Sequence, residues 1–216
     1  MYATLGSRVS VVELLPDILP GADRDLARFL GRRLKKQFES IMTETKAAKI
    51  TDKNGGLNVV FDGRHSGEEQ FDKIMLAIGR RPYTADAGLG NTRVEVDEKG
   101  FIEVDEQRRT AEPSVYAIGD VVGQPMLAHK GTHEARVAVE SILGEASVWG
   151  HQTVPAVAFS DPEIAWAGLT ETDAETAGID VQISKFPWTA SGRALTLART
   201  DGMTKLIIDP STEKIL

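Results

Sequence analysis

Apolar positions change rhythm several times along this chain, and each rhythm predicts a different element. Val9, Val11 and Val12 within Arg8–Glu13 read as a strand. Gly6 before them closes a short helical turn over Met1–Leu5 from the left-handed C′ position. Leu26, Phe29, Leu30, Leu34 and Phe38 recur at helical spacing, which predicts a helix with Asp23 as N-cap. Ile41–Ile50 reads as a short strand and turn. Asn54-Gly55-Gly56 is the hairpin turn between Lys49–Asp52 and Leu57–Phe61. Gly63–Gln70 reads as a polar loop with His65 on the surface, and Asp72–Ile78 as the next strand. Val94–Val96 and Phe101–Val104 alternate about Asp97-Glu98-Lys99-Gly100 as a hairpin.

Val115-Tyr116-Ala117-Ile118 are four apolar residues in a row, closed by Gly119-Asp120. Such a run suits a parallel strand covered on both faces. Gly119 permits close approach of a ligand to the backbone, and Asp120 places a carboxylate where open α/β sheets hold nucleotides. After Met126-Leu127-Ala128-His129, Ala135, Val139 and Ile142 mark one face of an amphipathic helix. Its positive N-terminus would point at whatever lies beside Asp120. Beyond Gly144 the chain is extended and proline-punctuated over His151–Trp166. Thr170 with Asp173 caps a helix ended by Gly178, Val181–Trp188 and Met203–Asp209 read as strands, and Glu213–Leu216 begins another.

Composition narrows the class. The 216 residues, 41% hydrophobic and 26% charged, are those of a globular protein with room for one to two domains. The net charge of −7 disfavours nucleic acid and anionic membranes as partners. No apolar run is long enough to span a bilayer, and Tyr2–Gly6 lacks the pattern of a secretory leader, so the expected location is the cytoplasm. Arg32, Arg33, Lys35 and Lys36 form a solvated helix face. There is no cysteine, hence no disulfide framework and no thiolate metal site. His129 and His133 stand four apart with no carboxylate-rich metal pattern around them, and neither is assigned to a metal.

Thr110 with Val115-Tyr116-Ala117-Ile118-Gly119-Asp120 resembles the second FAD motif of the flavin-dependent disulfide oxidoreductases. Met126-Leu127-Ala128-His129-Lys130-Gly131, Phe186-Pro187-Trp188 and Ser191-Gly192-Arg193-Ala194 narrow the resemblance to the dihydrolipoamide dehydrogenases, within the class I pyridine nucleotide-disulfide oxidoreductases. The resemblance covers essentially the whole chain. It implies an α/β fold in pieces: an incomplete Rossmann-like NAD domain at 1–80, without its first strand and glycine fingerprint, and the C-terminal part of a FAD domain at 81–149. The start of an α+β dimerisation domain follows at 150–216.

The resemblance also implies cofactors and partners. FAD would be met by Asp120, Met126, Leu127, Ala128 and His129, and NAD by Glu13, Ala47 and Gly79. Alone, Glu13 reads as a solvated acid after a strand, and Gly79 as a strand-end turn. In the family context Glu13 binds the adenosine ribose, and the following Leu14, Leu15 and Pro16 offer no arginine for a 2′-phosphate, which favours NAD over NADP. The implied reaction is oxidation of dihydrolipoamide, carried on a lipoyl domain of a 2-oxo acid dehydrogenase or glycine cleavage complex, by a homodimer. The redox cysteine pair and the His-Pro base motif of the family do not occur here, and His151 precedes Gln152. The chain alone is therefore expected to be inactive. Two alternatives remain at this point: a sister flavin disulfide reductase of the mercuric or glutathione reductase kind, or a truncated non-catalytic binding module.

Overall fold

In a computed structural model, residues 1–53, 55–150 and 153–216 are described. Asn54 of the predicted hairpin turn and His151 lie outside them. The chain divides into one compact unit formed by Met1–Met75 with Pro155–Leu216 and a second formed by Leu76–Val154.

The first unit opens with a helical turn, Ala3–Leu5, ended by Gly6 at φ 96° as its sequence predicts. Strand β1 (Ser10–Val12) pairs in parallel with β2 (Ser40–Met42), and helix α1 (Arg24–Leu34) lies between them in sequence. Strands β3 (Thr45–Lys53), β4 (Gly56–Gly63) and β5 (Gly67–Phe71) form an antiparallel sheet in that order. The predicted polar loop at Gly63–Gln70 is thus partly strand. Glu68, Glu69 and Gln70 carry no apolar signal because only the backbone of β5 is needed to extend the sheet. The later part adds β6 (Ala156–Ala158) with β7 (Ile164–Trp166), helix α3 (Glu171–Ala177), and β8 (Gln182–Pro187) paired with β9 (Met203–Ile208), with the short α4 (Gly192–Thr196) between these last two.

Two apolar clusters hold this unit. Leu30 of α1, Ala22 and Ile164 of β7 are buried together, with Ile18, Leu26, Leu34 and Trp166 around them. Met42, Val59 and Phe61 form the other, with Val12, Phe71 and Ile74 packed on it. The rings of Phe61 and Phe71 meet edge to face at 6.2 Å.

Beside the first cluster lies an ion network centred on a buried lysine. Lys205 of β9 has a side chain only 2% exposed, and its Nζ is 2.9 Å from Asp23, 3.2 Å from Asp25 and in contact with Glu171. Lys185 reaches Asp25 at 2.7 Å. The carboxylates of Asp23, Asp25 and Glu171 lie close enough together to hold a metal ion, but the Lys205 ammonium already stands among them. The predicted cap also changes partner. Asp23 occupies the N-cap position of α1, yet its oxygens accept the Glu171 N–H of α3 at 3.0 and 3.2 Å. The Lys205 charge draws the carboxylate that way. Thr170 caps α3 as predicted, accepting the Asp173 N–H at 3.0 Å, and Gly178 ends it at φ 65°.

Among the described residues, the second unit contains one long helix, α2 (Ala128–Ile142), preceded by a 3-10 turn at Gly119–Val122. The hairpin predicted about Asp97 survives as a single bridge, Val96 with Ile102. Two predicted strands do not form. Among the described residues, Val115–Ile118 makes only the bridge from Tyr116 to Arg109, and Asp72–Ile78 pairs in no sheet, with Ile78 92% exposed. Apolar runs report a tendency to be covered, but a strand also needs a neighbouring backbone to pair with.

Helix α2 departs from its pattern as well. The predicted apolar face is turned outward, with Val139 and Ile142 exposed. The buried residues are Lys130, Glu134, Ala138 and Ser141. Periodicity locates an apolar face without saying what covers it. The charged pair is tolerated inside because it is mutually neutralised and hydrogen-bonded.

Candidate functional site

Within the second unit, the residues expected at FAD are brought together. The Gly119–Val122 turn presents Asp120 about half exposed. Gly119 adopts φ 78°, a left-handed conformation that favours glycine. The following helix starts at Ala128 with Leu127 as N-cap, a residue with no side-chain acceptor to offer the first-turn amides. Turn and helix approach closely: a Cβ on Gly131 would lie 3.3 Å from the Gly119 Cα. Met126 is buried, whereas Ala128 and His129 are exposed at the start of α2.

Two features went unrecognised in the sequence. Arg80, beside Gly79, donates from Nη1 to the Met126 carbonyl at 3.1 Å and stands 3.4 Å from Asp120 Oδ2. It links the segment carrying Gly79 to the Asp120 turn. Its only signal was the Gly79-Arg80-Arg81-Pro82 string. Beneath the turn, Glu134 is fully buried and accepts from Gly119 N–H at 2.7 Å, from Arg108 Nη1 at 3.0 Å and from Lys130 Nζ at 3.2 Å. Helix position alone would have put Lys130 and Glu134 in solvent.

The residues expected at NAD are divided. Glu13 and Ala47 are in the first unit, and Gly79 is in the second. Glu13 follows β1, where its N–H donates to Met42 O at 2.8 Å and its carbonyl accepts Thr45 N–H at 3.0 Å. Its Oε1 accepts the Leu15 N–H at 2.8 Å, which leaves the second carboxylate oxygen for a hydroxyl. Ala47 is exposed on β3 at a break in the register with β4, two residues after Thr45. Gly79 takes φ 121° with open space where a Cβ would stand, so it is the conformation that calls for glycine there. A cavity of about 390 Å³ in the first unit, lined by Met42, Phe61, Arg64 and His65 among others, includes neither Glu13 nor Ala47 in its wall.

Residues 1–135 match the pyridine nucleotide-disulphide oxidoreductase family, well over half of the chain. The chain belongs to that family. Residues 154–216 match the dimerisation domain of pyridine nucleotide-disulphide oxidoreductases. Among curated relatives, a dihydrolipoyl dehydrogenase of Haemophilus influenzae is 42% identical over 217 residues, covering 100% of this chain and 45% of the relative. One of Thermus scotoductus is 43% identical, covering 100% of this chain and 47% of the relative. The chain thus spans a little under half the length of the relatives it matches. Of solved structures, the HOCl-induced flavoprotein disulfide reductase RclA of Escherichia coli superposes with a TM-score of 0.88 at 28% identity, covering all of this chain and 49% of that one. LpdA of Mycobacterium tuberculosis superposes with a TM-score of 0.88 at 26% identity, covering all of this chain and 47% of that one. Flavin and pyridine nucleotide are the cofactors of this family, and the α/β architecture is that of its flavoprotein reductases.

Proposed function

We propose that this chain is part of a dihydrolipoyl dehydrogenase and carries one half-site for FAD and one for NAD. Its division into a nucleotide part at 1–80, a flavin part at 81–149 and a dimerisation part at 150–216 belongs to the same reading. The observation that carries it is the close seating of the Asp120 turn on the start of α2, with Arg80 joining the two. That arrangement fits FAD. Asp120 offers a strong acceptor for a ribitol hydroxyl, and Ala128 and His129 stand exposed at the first turn of α2. A helix N-terminus favours negative charge beside it by about 0.3–2 kcal/mol. FAD, when bound, supplies a two-electron carrier between a dithiol and a nicotinamide. Glu13 accepts from the adenosine ribose and, with no arginine among the residues that follow it, favours NAD.

The relatives at 42% and 43% identity described above are named dihydrolipoyl dehydrogenases, while the solved reductase RclA stands at 28%. This supports dihydrolipoamide, carried on a lipoyl domain of a larger complex, over the substrate of a sister reductase. It also supports a homodimer built through residues 154–216. The setting expected is the cytoplasm; among the described residues no helix is long and apolar enough to cross a membrane.

The chain itself has no cysteine to exchange with a dithiol. The purified 216-residue chain, free of host enzyme, is expected to show no dihydrolipoamide:NAD⁺ turnover; measurable turnover would overturn this. In the full-length protein, Glu13→Ala is expected to raise the KM for NAD⁺ while sparing flavin reduction by substrate. The loss of hydrogen bonds to a charged acceptor corresponds to about 1.5–3 kcal/mol. Unchanged NAD⁺ dependence in steady-state assays would refute the role of Glu13.

A further inference from the structure

Lys130 and Glu134 form an i,i+4 pair on α2, with side chains 4% and 0% exposed. A buried ion pair is poor value for stability alone, since well-packed apolar side chains commonly do as well. The partners of this pair suggest another use. Glu134 Oε2 accepts the Gly119 N–H at 2.7 Å, while Lys130 Nζ donates to the Gly119 carbonyl at 3.1 Å. Both backbone groups of the glycine before Asp120 are therefore held by one helix. Lys130 also donates to the Gly123 carbonyl at 3.2 Å, at the far end of the same turn. Behind the pair, Arg108 is fixed against Glu134 at 3.0 Å, and its guanidinium lies 5.6 Å from the centre of the Trp149 ring.

We propose that Lys130 and Glu134 are positioning residues of the cofactor site. Together they clamp the Gly119–Gly123 turn to the start of α2 and so hold the Asp120 carboxylate in place before any ligand arrives. Neither needs to touch the cofactor. The clamp follows from the hydrogen bonds alone; its use in binding FAD rests on the reading of this turn as a flavin half-site. Preorganisation of this kind removes an ordering cost from binding, so its loss appears in affinity.

The test compares the chain with two variants. Arg108→Leu/Lys130→Met/Glu134→Leu removes the whole network and leaves no unpaired buried charge. Lys130→Met alone keeps the Arg108–Glu134 pair and serves if the triple variant does not fold. Hydrogen exchange read by NMR needs no flavin: the Gly119 amide is expected to exchange at least about 100-fold faster in the triple variant, with the rest of α2 still protected. In Lys130→Met, loss of the two carbonyl bonds is expected to raise exchange in the turn about tenfold. FAD titration by flavin fluorescence is expected to show affinity at least about tenfold weaker in the triple variant at near-equal melting temperature. A folded triple variant with unchanged exchange at Gly119 and unchanged FAD affinity would reduce the network to a stability role and overturn the proposal. So would unchanged turn exchange in Lys130→Met if only that variant folds. No binding of FAD by the unaltered chain up to roughly millimolar concentration would count against the flavin half-site in this chain, and the exchange result would still decide the clamp.

Discussion

Lys205→Met is expected to destabilise the unit formed by Met1–Met75 and Pro155–Leu216 by about 3–5 kcal/mol, the cost of breaking an ion network at its buried lysine. The methionine nearly matches the volume, so the loss is electrostatic. Asp23, Asp25 and Glu171 would be left to the Lys185 ammonium, 2.7 Å from Asp25 but 3.8 Å from Glu171. The sign with pH follows from the two shifts. Burial alone would lower the Lys205 pKa, but hydrogen bonds to Glu171, Asp23 and Asp25 outweigh it and raise it. Burial alone would raise the Asp25 pKa, but hydrogen bonds from Lys185 and Lys205 outweigh it and lower it. A raised lysine stabilises fully below its unfolded value and loses that stabilisation as pH rises through the folded value. A depressed aspartate stabilises above its unfolded value and loses that stabilisation as pH falls through the folded value. The network thus acts between the carboxylate and lysine ranges. The penalty of Lys205→Met should be large at about pH 7 and smaller at about pH 3, as the pH falls towards the depressed folded value of Asp25. Urea unfolding of both proteins at the two pH values checks this; a penalty independent of pH would show that packing, not charge, sets it.

Gly63→Ala should cost the same unit about 2–4 kcal/mol, from a backbone collision added to backbone strain. Gly63 stands at φ 128°, and a Cβ there would lie 2.2 Å from the Glu44 carbonyl oxygen and 3.1 Å from the Thr45 Cα. Neither neighbour is a side chain that can swing away. Thr45 is fully buried and donates its N–H to the Glu13 carbonyl at 3.0 Å, so the displacement reaches the end of β1. Gly6→Ala is the control: φ is 96° but nothing lies within 4 Å of the new methyl, so only conformational strain of about 1–2 kcal/mol is expected. Thermal unfolding of the two variants side by side separates collision from strain. Equal losses would mean that the β3–β4 ladder yields more easily than its register suggests.

Elements whose information is local were legible in the sequence. Thr170 with Asp173 and Gly178 bracketed α3, and a glycine turn between two short runs marked β3 and β4. The Gly119-Asp120 and Met126–His129 motifs are segments that the fold brings close to one another. What was hidden depends on partners far away in the chain. The charge of Lys205 sits in an ordinary strand pattern, and its burial depends on three acids contributed by α1, its N-cap and α3. The burial of Lys130 and Glu134 had no signal in the sequence, because helical spacing favours apolar residues for the interior, whereas their burial comes from bonds to a turn and to Arg108. The runs at Asp72–Ile78 and Val115–Ile118 failed as strands for the converse reason, since side-chain pattern cannot supply a pairing backbone.

The polar interior behind the Asp120 turn has a calorimetric consequence. In the Leu76–Val154 unit, Arg108, Thr110, Lys130, Glu134 and Ser141 are buried alongside Ala117, Met126 and Ala138, while Val139, Ile142 and Leu143 already face solvent. Exposing apolar surface raises the heat capacity on unfolding, and exposing polar surface lowers it. Here the two contributions oppose each other more evenly than in an oil-filled core. The stability of this unit should therefore vary with temperature along a flatter curve, and cooling should weaken it less than it weakens domains held together by apolar burial.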